Sequence, residues 1–113
     1  MNFENRSEIT DKLIELINES RLNYKQKQKV YILIKNLKNT TDIQKDRFIS
    51  FYGLDKNSDK GQTLGEIAEK YNCSTTAIRC SVISVKNKLS RLNETTEIIK
   101  KIIDENNSSN GGV

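Results

Sequence analysis

The stretch Thr63-Leu64-Gly65-Glu66-Ile67-Ala68-Glu69-Lys70-Tyr71-Asn72-Cys73-Ser74-Thr75-Thr76-Ala77-Ile78-Arg79-Cys80-Ser81-Val82 decides how the chain folds. Thr63 and Glu66 have the spacing of a capping box, in which hydroxyl and carboxylate each take up an orphan N–H at a helix start. Leu64, Ile67 and Ala68 follow at helical spacing. Asn72-Cys73-Ser74 reads as a tight turn, because Asn tolerates positive φ better than any residue but Gly, and Ser74 caps what comes next. The second helix carries Ile78, Val82, Val85, Leu89 and Leu92 at intervals of four, three, four and three, and is expected to run to Leu92. A steep crossing needs a small residue on the first helix, which Ala68 supplies, and apolar groups to hold the angle, here Ile67, Tyr71, Cys73 and Ile78. This is the internal logic of a helix-turn-helix, whose second helix can enter a major groove N-terminus first. An αα-hairpin with no ligand is the plainer alternative.

Outward from this segment the chain reads as helices. Ile9, Leu13, Leu16 and Ile17 share one face, with Ser7 as a possible cap and Glu8 and Asp11 in the first turn. A second helix is expected from about Asn23 to Lys38, with Val30, Tyr31, Ile34 and Leu37 inward. A third follows a Thr41-x-x-Gln44 capping box, turns Ile43, Phe48, Phe51 and Tyr52 to the core and stops at Gly53. Residues 55–62 form a polar loop. A last helix, about Glu94 to Glu105, carries Ile98, Ile99, Ile102 and Ile103; it packs on the Ile9–Ile17 helix or pairs with a second chain. The whole is an all-α bundle of five or six helices: an acidic N-terminal helix at 1–20, a central domain at 21–92, a C-terminal helix at 93–105 and a disordered tail at 106–113.

Composition agrees. The 113 residues suit one domain, there is no Pro, and the first Gly is Gly53, so the opening 52 residues lack both common chain punctuators. The net charge of +4 is unevenly spread: residues 1–20 carry −3, residues 21–48 carry +6, residues 75–92 hold four basic groups and no acid, and the last 21 residues carry −2. A basic middle between acidic ends suits a polyanion. Two cysteines and no His leave a zinc site short of ligands, and no cofactor is expected. No stretch resembles a signal peptide or membrane span, so the chain is expected in the cytoplasm with reduced thiols and without a membrane partner. Without His, a paired-carboxylate site or a Gly-rich phosphate loop, an enzyme is not expected.

Residues 24–92 resemble region 4 of bacterial RNA polymerase sigma factors. Phe51-Tyr52-Gly53-Leu54 is similar to that family's Arg-Phe-Gly-Leu helix ending, Thr63-Leu64-Gly65-Glu66-Ile67-Ala68 to its Thr-Leu-Glu-Glu-Ile-Ala/Gly, Ile78-Arg79 to the Ile-Arg of its recognition helix, and Lys88-Leu89 to that helix's Lys-Leu end. The loop before Thr63 is longer than in housekeeping sigma factors, and nothing matches region 2, which melts promoter DNA; the likeness implies a stand-alone region 4. It also implies a DNA-binding transcription regulator that contacts duplex DNA and docks on RNA polymerase core. The family's base-reading Arg, Glu and Gln positions are here Thr75, Thr76 and Cys80. Thr can meet a thymine methyl or donate one hydrogen bond, but it cannot make the bidentate arginine–guanine pair, worth about 1–3 kcal/mol of discrimination.

The expected DNA contacts are therefore Thr63, Leu64 and Gly65 at one helix start, Ser74, Thr75, Thr76, Arg79 and Cys80 at the next, and Lys86 and Lys88 further along, with Arg91 near them. Plainer roles stand beside these: capping for Thr63 and Ser74 and a solvated charge for Arg79 and the lysines; Cys73, outside this set, reads as a small core residue. The alternative function is a protein-interaction module that keeps the fold to bind polymerase or a sigma or anti-sigma type of partner, without reading DNA sequence. Target site, oligomeric state and direction of regulation are left open by the sequence.

Overall fold

Every helix start in the middle of the chain is set by a side chain that takes up an orphan backbone N–H. The computed structural model describes residues 3–55 and 61–111, and they form six helices: α1 (Phe3–Asn18), α2 (Tyr24–Lys35), α3 (Asp42–Tyr52), α4 (Leu64–Tyr71), α5 (Thr75–Leu89) and α6 (Asn93–Gly111). Asn23 caps α2 in a full capping box: its Oδ1 accepts from the Gln26 N–H at 2.8 Å and its own N–H donates to Gln26 Oε1 at 3.0 Å. Thr63 and Glu66 do the same for α4, at 3.1 and 3.0 Å. At α3 only half the expected box forms; Thr41 Oγ1 accepts from the Gln44 N–H at 3.2 Å. Ser74 Oγ accepts from the Ala77 N–H at 3.1 Å and opens α5.

Two helices end in left-handed residues, Gly53 at φ 64° and Asn72 at φ 53°. Beyond Gly53, the Gln62 N–H donates to the Ser50 carbonyl at 2.8 Å, and Gly61 passes so close to α3 that an added Cβ would lie 1.9 Å from the Phe51 carbonyl oxygen. Only Gly fits there.

The core is one continuous cluster. Leu13 of α1, Val30 and Ile34 of α2, Phe48 of α3, Ile67 of α4, Ile78, Val85 and Leu89 of α5 and Ile99 of α6 are fully buried. α3 packs on α5, α4 on both, α1 on α6, and α2 bridges α3 and α6. Among the described residues there is no strand, and no helix is long and apolar enough to cross a membrane.

Several ends differ from the sequence expectation, each for a tertiary reason. α1 begins before Ser7, which is therefore inside the helix and not its cap. α2 stops at Lys35, where Lys45 Nζ from α3 donates to the Lys35 carbonyl at 2.8 Å, a cation on a helix C-terminus. α5 stops at Leu89, which leaves Leu92 exposed. Ile43 also faces out, while Ile49 is buried. α6 does not give way to a disordered tail at Asn106 but continues to Gly111: Asn106 is buried, and its Nδ2 donates to the Arg21 carbonyl at 2.8 Å and to Gln26 Oε1 at 3.1 Å. Ile99, Ile102 and Ile103 are buried, whereas Ile98 is exposed.

Candidate nucleic-acid interface

α4 and α5 meet across Asn72, Cys73 and Ser74. The Cys73 N–H donates to the Ala68 carbonyl at 2.9 Å, which closes the turn, and Ile67, Ala68 and Ile78 are buried at the crossing. Tyr71 and Cys73 are half-buried beside them.

A side chain not singled out from sequence joins them at this crossing. Arg47, on α3, donates from Nη1 to Ser81 Oγ at 2.9 Å and from Nη2 to Cys73 Sγ at 3.7 Å, and its guanidinium lies 4.8 Å from the Tyr71 ring centre. One side chain thus touches α4, the turn and α5. Ser81 is buried and also donates to the Ala77 carbonyl at 3.2 Å, so its hydroxyl is satisfied on both sides. The Arg47 Nε is buried without a hydrogen-bond partner, which is a cost of this arrangement. Burial first, and then the Asp46 carboxylate, raise the Tyr71 hydroxyl above its ordinary pKa against the opposing pull of Arg47, so the ring stays neutral under the guanidinium at physiological pH. The sequence did hold a signal for Arg47: a Ser at a core-facing position of α5 demands a polar partner from a neighbouring helix.

At about 100° per residue, α5 turns Ile78, Ser81, Val82, Val85 and Leu89 inward and Thr76, Cys80, Ile83 and Asn87 outward in one row. All four of the outward row are exposed. Arg79 is exposed too, but it stands beside this row, not in it, and among the described residues it has no hydrogen-bond or ion-pair partner. Ser74, Thr75, Thr76, Arg79 and Cys80 therefore form one accessible patch at the start of α5. Ile83 and Asn87 continue its centre and were not singled out from sequence, although the i, i+4, i+7 spacing from Thr76 points to them.

Thr63 and Gly65 are exposed and Leu64 is half-buried at the start of α4, about 12 Å of helix away from the turn. A Cβ added at Gly65 would approach nothing closer than Thr63 Oγ1 at 3.9 Å, so the fold does not require Gly there. The two lysines are committed elsewhere. Lys86 Nζ pairs with Asp11 of α1 at 2.8 Å, and Lys88 Nζ donates to the Asn39 carbonyl. Both contacts tie α5 to neighbouring parts of the bundle at its surface. Arg91 is exposed beyond the end of α5. Among the described residues no group of three or more Cys, Asp or Glu could hold a metal ion. No family model matches the chain, and no curated protein or solved structure matches it either.

Proposed function

We propose that this chain is a cytoplasmic DNA-binding transcription regulator of the sigma-region-4 kind, with α4 and α5 acting as a helix-turn-helix. The observation that carries the reading is the exposed Arg79, without a partner among the described residues, at the start of a helix that has no acid along its length. A cation there, next to the hydroxyls of Thr75 and Thr76, suits the edge of a phosphate-lined groove. The start of α4 adds backbone N–H groups and a helix dipole for a second phosphate, with Gly65 leaving room for the duplex. The likeness to region 4 extends the proposal to action alongside RNA polymerase core.

Fluorescence anisotropy with duplexes selected from the source genome tests it. Two to four phosphate contacts give a log–log salt slope of about −2 to −4. Arg79→Ala should weaken binding and flatten that slope by about one. Gly65→Ala, which the fold accommodates, should also weaken binding. An Arg79→Ala chain that binds duplex as tightly as the parent defeats the proposal.

Ile83 favours a second reading. It is 49% exposed at the centre of the outward row, above a hollow shared with Cys80, Asn87 and Arg91. An apolar side chain there suits a protein partner, of polymerase or of the sigma or anti-sigma type, as well as a thymine methyl. On that reading Ile83→Asp abolishes partner binding and duplex binding is absent from the start.

A further inference from the structure

Away from α4 and α5, the chain has a seam between α2 and α6. The helices run antiparallel there: Gln26 meets Asn106 at 3.1 Å and Lys29 meets Glu105 at 2.7 Å, while Lys38 and Glu94 line the same hollow at the other end. Ile32, Leu33, Ile98 and Ile102 line a hollow of 390 Å³ between them. Ile32 is 57%, Leu92 48% and Ile98 43% exposed, so half of the six large exposed apolar side chains among the described residues gather on this seam.

The two walls differ in sign. The α2 side presents Lys25 and Lys38 and no acid, besides Lys29, which pairs with Glu105 across the seam. The α6 side presents Glu94 and Asp104 against Lys101, besides the paired Glu105. A partner of one charge sign would face a like-charged wall whichever way it lay. A second copy does not. A two-fold axis running along the seam keeps each residue's height and exchanges the sides, so the basic wall of one copy covers the acidic wall of the other. Lys25 then faces Asp104 of the second copy, and Lys38 faces its Glu94, over joined apolar floors.

We infer that the α2–α6 seam is a homodimer interface, with the two-fold axis along it. None of its lining residues belongs to α4 or α5, so assembly leaves the candidate DNA face uncovered and gives the molecule two of them. The inference holds whether or not that face binds DNA.

Sedimentation equilibrium of the full chain, without DNA, tests it. The parent should sediment at twice the mass of one chain, and Ile32→Glu and Ile98→Glu should sediment as monomers with unchanged helical circular dichroism. Lys25→Glu and Asp104→Lys should each raise the dimer dissociation constant at least tenfold, and the two together should restore it. A parent that stays monomeric up to about 1 mM overturns the inference. So does a dimer that survives Ile98→Glu. Single charge reversals that weaken the dimer without recovery in the double variant overturn the axis along the seam.

Discussion

Ser81 sits on the core-facing side of α5, where a hydroxyl needs a partner, and Arg47 supplies it from α3 while also covering Cys73 and the Tyr71 ring. The chain thus fixes the α4–α5 angle with a charged side chain as well as with Ile67 and Ile78. Arg47→Ala should cost about 2–3 kcal/mol in urea unfolding, from a charge-assisted hydrogen bond and a cation–π contact together. Arg47→Lys should recover less than half, because a lone ammonium cannot span Ser81 and Cys73 while stacking on the ring. Equal stability of the alanine variant and the parent would show that the apolar contacts alone hold the angle. Which cations of α5 have partners belongs to this scale as well. Spacing along α5 marked Lys86 and Lys88 as cations near a groove, but their partners, Asp11 and the Asn39 carbonyl, come from other helices. Nothing local in the sequence distinguishes them from Arg79.

Local signals were legible element by element, and distant ones were not. Thr63, Ser74, Gly53 and Asn72 act within a turn of themselves, and each does what its type and position imply. The end of α5 is different. Its apolar period continues to Leu92, but Ser90 Oγ donates to Thr10 Oγ1 at 2.8 Å and the Arg91 carbonyl accepts from Arg6 Nη1 at 2.8 Å, so α1 takes the chain out of the helix after Leu89. The polar composition after Glu105 similarly hides the role of Asn106, whose partners lie about eighty residues away. The turn between α4 and α5 offers a direct check. Asn72→Ala should destabilise the fold by about 1–2 kcal/mol, since a Cβ without a compensating side chain is strained at φ 53°. Asn72→Gly should match or slightly exceed the parent in urea midpoint. An alanine variant as stable as the glycine variant would contradict the left-handed turn.

At the scale of the whole molecule, a body of 45 × 31 × 20 Å divides its charge among its helices. The acidic ends are not spectators: α1 and α6 pack together, Asp11 of α1 takes up Lys86, and Glu105 of α6 takes up Lys29. The net positive charge of the middle is therefore partly offset by ion pairs at the surface of the fold, and the candidate DNA face centres on Arg79 and two helix starts. Backbone amide shifts followed by NMR while duplex DNA is titrated in report on every helix at once. Salt-dependent shifts should concentrate at residues 63–66 and 74–83, with residues 25–38 and 94–105 unmoved. A spectrum in which the start of α5 stays still, or in which only the α2–α6 seam responds, would contradict the proposed DNA face.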